Sequence, residues 1–90
     1  MKQYQIHINT GAANYNVMKY AKSPKEAAVQ ASYSIASQNG IKQTLDKINK
    51  SIEQKVFTGW SNWWGSLVEV VDTETGKKSS YALTCNIDNY

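Results

Sequence analysis

His7 and Cys85 are the only histidine and the only cysteine in this chain, so nucleophilic or metal chemistry would have to run through them or through seven scattered carboxylates. A cysteine–histidine couple needs hydrogen-bond reach. His7 lies on the polar phase of Tyr4-Gln5-Ile6-His7-Ile8, and Cys85 on the apolar phase of Tyr81, Leu83, Cys85 and Ile87. Alternation therefore sends them to opposite faces of a sheet. His7 reads as an exposed strand residue and Cys85 as a small buried hydrophobe. No His, Cys or carboxylate spacing suits a metal ion. No glycine-rich loop joins a strand to a helix as phosphate cradles require, and no two acids converge as glycoside hydrolysis needs. The expectation is a protein without catalysis, metal or cofactor.

Binding chemistry is better represented. All three tryptophans fall in Gly59-Trp60-Ser61-Asn62-Trp63-Trp64-Gly65. Tryptophan is the side chain most enriched where binding energy concentrates. Trp60 and Trp64 continue the spacing of Phe57, and one of them, Trp60 first, is expected to close the core, while Trp60 also counts among the expected partner-binding residues. Trp63 and Trp64 are expected to anchor a partner, with Asn62 fixing orientation and Lys47 and Lys50 steering approach.

The charge pattern limits who that partner is. The ten basic residues are all lysine, and the net charge is +3. Without arginine there is no bidentate fork to read guanine or clamp phosphate. Residues 1–56 carry eight lysines against Glu26, Asp46 and Glu53, a balance of +5; residues 57–90 carry −2. A protein partner fits best. The alternative is nucleic-acid binding without sequence preference, through lysines and base stacking on the tryptophans.

The elements that position these residues follow from periodicity. Tyr4, Ile6 and Ile8 mark a strand, Thr10–Ala13 a turn, and Tyr15–Tyr20 a second strand whose alternation slips near Met18, as a bulge would make it. Ser23-Pro24-Lys25-Glu26 is a helix start: a capping serine, a proline at the first position and a glutamate able to complete a capping box. The helix should run from Pro24 to Gln38 on a small-residue face of Ala27, Ala28, Ala31, Ile35 and Ala36, and stop at Asn39-Gly40. Ile41, Leu45, Ile48, Ile52 and Val56 then predict a second amphipathic helix over 42–55. Leu67–Val71 is a strand, Asp72–Lys77 a turn, and Tyr81 to Ile87 the last strand.

The order β-β-α-α-β-β over a single domain of 90 residues predicts an α+β fold: a four-stranded antiparallel sheet with two helices packed on one face. Gln5, His7, Glu69 and Thr84 should face outward, as should Leu67 and Val71, which would serve a partner, a homodimer or a site covered by the tryptophan loop. No apolar run approaches the ~20 residues of a membrane helix. The polar start Met1-Lys2-Gln3-Tyr4-Gln5 lacks a signal-peptide core, and a lone cysteine marks no disulfide scaffold. A cytoplasmic setting is expected.

The arrangement of a strand, the helix opening Ala21-Lys22-Ser23-Pro24-Lys25-Glu26-Ala27-Ala28, and the hairpin Val68-Glu69-Val70-Val71-Asp72-Thr73-Glu74-Thr75-Gly76 resembles many small phage and mobile-element proteins. Some anti-CRISPR proteins are similar in size and layout over residues 14–85. The resemblance implies a stoichiometric inhibitor that occupies a surface of a host defence protein or nucleoprotein complex. It transfers no functional residues, and the positive charge excludes the acidic, DNA-mimicking kind.

Overall fold

The computed structural model describes residues 1–55 and 65–88. Alternation at the start of the chain becomes β1 (Lys2–Asn9), with Tyr4, Ile6 and Ile8 buried. A tight turn returns it as β2 (Asn14–Ala21). The pairing runs unbroken from Lys2 opposite Ala21 to Asn9 opposite Asn14, so the bulge expected near Met18 is absent. The slip in the sequence pattern has a simpler cause. Met18 points to the outer face and is half exposed, while Lys19 takes the inward phase, half buried. A lysine can hold that place because its long stem leaves the charge at the sheet margin.

Helix α1 (Pro24–Gln38) begins and ends where local chemistry predicts. Ser23 Oγ accepts the Glu26 N–H at 3.1 Å. The Glu26 carboxylate accepts the N–H of Lys22 at 2.8 Å rather than that of Ser23, a capping box displaced by one residue. At the far end Gly40 has a φ of 74°, Ile41 N–H reaches Ala36 O, and Gly40 N–H reaches Ser37 O. These are the two bonds of a Schellman stop. Ala27, Ala28, Ala31, Ile35 and Ala36 are all buried, and α1 packs across β1 and β2.

The second helical stripe divides. Thr44 caps the first turn by accepting the Lys47 N–H, and α2 is short, Leu45–Ser51. The chain then extends into β3 (Ile52–Gln54), where the sequence predicts continued helix to residue 55. Ile48 and Ile52 are both buried, but Leu45 is half exposed. After Gly65 come β4 (Ser66–Asp72) and β5 (Lys78–Leu83). The last strand thus ends at Leu83 rather than Ile87, although Cys85 and Ile87 stay buried.

The five strands lie in the order β2-β1-β4-β5-β3, every pair antiparallel. The fold is α+β as expected, with five strands instead of four. The added strand exists because β5 has a free side. Lys55 N–H bonds Ser80 O, and Thr84 N–H bonds Ser51 O, satisfying backbone groups that would otherwise remain unpaired at this edge. Ile6, Ile8, Val68, Val70 and Leu83 meet Ile35 and Ile48 in one core, each 1% exposed or less. Such a side chain contributes roughly 1.5–3 kcal/mol relative to exposure.

Candidate interaction surface

Every inward residue of the central strands has a neighbour in sequence on the opposite face, and that face has no helix on it among the described residues. The pairing registers assemble it in rows. Met18, Gln5, Val71 and Lys78 form one row; Asn16, His7, Glu69 and Ser80 the next; Asn14, Asn9, Leu67 and Ala82 a third. Tyr20 stands beside Gln3 at the far corner and is 62% exposed. Leu67 and Val71 take the outward phase the sequence assigns them, half buried between their neighbours. His7 faces Glu69 across the strand pair, and Gln5 is exposed. Thr84 lies beyond the end of β5, where its hydroxyl donates to Ser51 O at 3.2 Å.

The chemistry of this face is neutral hydrogen bonding with apolar relief. On β1 and β2 the outward side chains are Gln3, Gln5, His7, Asn9, Asn14, Asn16, Met18 and Tyr20. None carries a fixed charge. Amides both donate and accept, and Met18 and Tyr20 supply adaptable and aromatic contact.

The other predicted site residues lie elsewhere. Trp60, Asn62, Trp63 and Trp64, with Phe57 and Gly59, are outside the described residues. Gly65, the closing glycine of that segment, has a φ of 133°, and a Cβ there would collide with the carbonyl oxygen of Leu83. Lys47 and Lys50 are exposed on α2, remote from the outer face in the order of the fold. Lys50 forms an ion pair with Asp46 at 3.0 Å, one helical turn away. Its charge is thereby partly cancelled. Cys85 is buried, and burial pushes its thiol above the ordinary cysteine range. Among the described residues no three His, Cys, Asp or Glu side chains gather as metal ligands would.

Two polar clusters were not legible in the sequence. Asp88 accepts hydrogen bonds from Thr10 Oγ1 at 2.9 Å and from the Tyr15 hydroxyl at 3.0 Å. Asn39 donates to the same Tyr15 oxygen and to Ile87 O. The hairpin turn, the end of α1 and the tail of the chain are pinned together there. Thr10 and Asp88 are 78 positions apart, so no local pattern announces the pair. The second cluster is Asp72, which accepts the backbone N–H groups of Glu74 and Thr75 and the Lys2 ammonium at 3.2 Å. The Glu74 N–H is the largest influence holding the Asp72 carboxyl below its usual range, and the same ion pair raises Lys2. Both clusters hold the fold together and lie away from the outer rows of β1 and β2; at the β5 end of the third row Ala82 is fully buried.

A shallow cleft between the first turn of α1 and α2 is lined by Val29 and Leu45, with Lys25, Glu26 and Asp46 at its rim. One lysine stands there against two acids, and both acids are already engaged, Glu26 with the Lys22 N–H and Asp46 with Lys50. No helix of the described residues is long and apolar enough to cross a membrane. Comparison of the chain with protein families, curated proteins and solved structures finds no match.

Proposed function

We propose that this chain is a non-enzymatic binding protein whose partner is another protein, engaged through the outer face of the sheet together with the tryptophan segment. The observation that carries this reading is the composition of that face. A neutral amide surface with Met18, Tyr20, Leu67 and Val71 among the amides has the mixed polar and apolar character of a protein interface. A phosphate backbone calls for a field of positive charge. Here the only lysine in the three outer rows is Lys78, across from Val71, and Glu69 in the next row offsets its charge. Lys47 and Lys50, expected to steer the approach of a partner, belong to the helical layer, and Lys50 is paired with Asp46.

The more specific form of the proposal is an inhibitor of phage type, acting in the host cytoplasm on a defence protein or nucleoprotein complex of the CRISPR-Cas kind. Its support is the strand-helix-hairpin layout over residues 14–85. The test is affinity capture from a host lysate with four baits: the wild type, Leu67→Glu, Val71→Glu and the double variant Trp63→Ala/Trp64→Ala. One partner, lost with the outer-face or tryptophan variants at an unchanged thermal midpoint, is the expected result. A gel shift on DNA or RNA that weakens steeply with salt would overturn it in favour of nucleic-acid binding. Light scattering separates the remaining rival, a homodimer through Leu67 and Val71.

A further inference from the structure

The two edges of the sheet are unequal. At one, β3 is three residues long. At the other, β2 runs for eight residues without a proline or a break in register. The direction of its backbone groups follows from two bonds. Thr10 N–H donates to Ala13 O at 3.0 Å at the hairpin end, and Thr73 N–H donates to Gln3 O at 3.3 Å on the far side of β1. In an antiparallel ladder bonded and non-bonded pairs alternate. The bonded pairs of β1 and β2 are therefore Tyr4 with Lys19, Ile6 with Val17, and Ile8 with Tyr15. It follows that Asn14, Asn16, Met18 and Tyr20 aim their N–H and C=O groups away from the sheet. All four residues are exposed.

Such an edge invites another strand, and proteins that avoid the invitation shorten, bend or cover it, or set lysines on it that repel a second copy. Here β2 keeps its length, and what surrounds it is positive charge. Lys19, Lys22 and Lys25 lie on or just beyond β2, and among the described residues none of them is in an ion pair. Glu26, the one acid of residues 14–26, is engaged with the Lys22 N–H and with Gln30. Self-pairing would bring the same lysines together from two copies. Charge complementarity selects an acidic strand instead.

We propose that the free edge of β2 is the docking line for an extended acidic segment of the partner protein, which adds to the sheet as a sixth strand beside Asn14–Ala21. The proposal rests on the reading of the chain as a protein-binding module and specifies how the partner attaches. Its main-chain groups pair with those of Asn14, Asn16, Met18 and Tyr20, and its side chains alternate between the two faces. Those on the outer face lie against Met18 and Tyr20 and are apolar. Those on the inner face lie alongside Val17 and Lys19 and include carboxylates.

The test uses the full isotope-labelled chain and a capped octapeptide alternating valine and glutamate, read by amide shifts and hydrogen exchange. Saturable shifts and slowed exchange at Asn14, Asn16, Met18 and Tyr20 are expected, with no response to the valine–lysine counterpart. The double variant Lys19→Glu/Lys22→Glu should weaken binding about tenfold or more, as reversing a steering and pairing charge does. Met18→Pro should abolish it while leaving the amides of Ile6 and Val70 unshifted, because the Met18 N–H has no ladder partner to lose. If that variant fails to fold, the charge-reversed variant decides. Equal response to both peptides, shifts confined to His7 and Leu67, or a dimer that the acidic peptide does not dissociate would each overturn the proposal. So would a single-stranded oligonucleotide that protects the same amides in place of the peptide. Should the edge fail while Leu67→Glu still loses the captured partner, only the mode of attachment falls; should both fail, the binding reading falls with it.

Discussion

The two faces of the sheet are built by the same strands, one residue out of phase, and they have opposite duties. Ile6, Ile8, Val68, Val70 and Leu83 face the helices and are excluded from water, whereas Gln5, His7, Leu67, Glu69 and Val71 face outward from the same backbone. The inner set makes the fold. The outer set takes no part in the core, and its amides, imidazole and scattered apolar groups keep partial access to solvent. A small domain has only a thin margin of stability, roughly 5–15 kcal/mol, and concentrating it on one face leaves the other open to change.

The largest expected effect tests that division directly. Ile8→Ala should cost about 4 kcal/mol, the range for truncating a fully buried isoleucine, and lower the thermal midpoint by tens of degrees or unfold the domain. His7→Ala, one position away, should change stability by less than about 0.5 kcal/mol, as surface changes do. Similar midpoints for the two variants in a thermal melt would break the comparison.

Gly65→Ala comes next. Its positive φ and the collision with Leu83 O leave no strain-free solution, so a loss of about 2–3 kcal/mol is expected by chemical denaturation. A neutral outcome would mean that the start of β4 adapts more freely than its pairing implies.

The Lys2–Asp72 pair sharpens the comparison at the rim of the inner face. Because the Asp72 carboxyl is held below its usual value, its contribution is present above about pH 4 and lost as pH falls through the folded value. Lys2 is raised, so its part is present below about pH 10 and lost as pH rises through its folded value. Asp72→Asn should therefore melt below wild type at neutral pH, and the gap should close in acid. A gap of constant size across pH 2–6 would contradict the assigned cause.

The smallest effect belongs to Ser66→Ala. Ser66 Oγ is buried and has no hydrogen-bond partner among the described residues. Its removal should be neutral or stabilising by a few tenths of a kcal/mol, since an unsatisfied hydroxyl costs desolvation without return. A clear loss of stability on denaturation would show that the hydroxyl is in fact bonded.

Much of this arrangement was legible in the residues, but unevenly. The phase of β1 and β4 was readable because Ile6, Ile8, Val68 and Val70 alternate cleanly, which also placed Leu67 and Val71 outward. The edge strand misled, since Lys19 on the inward phase imitates a bulge. The free edge of β2 was not legible at all. Backbone direction at a strand edge depends on which residues bond to the neighbouring strand, and no side-chain pattern records it.

What the sequence determined by itself is what short-range chemistry controls. Ser23, Pro24, Glu26 and Gly40 set both ends of α1 because each acts on backbone groups within one helical turn. What tertiary structure decided is the fate of residues 45–54 and the closure of the chain on itself. Ile48 and Ile52 suit a helix by spacing, yet the chain turns to a strand at Ile52, where β5 offers unpaired backbone groups. Thr10, Tyr15, Asn39 and Asp88 likewise meet only once the fold has brought distant segments together. Local signals choose among conformations of a few residues; pairing between remote segments carries more free energy than a weak helical preference, and it prevails where the two compete.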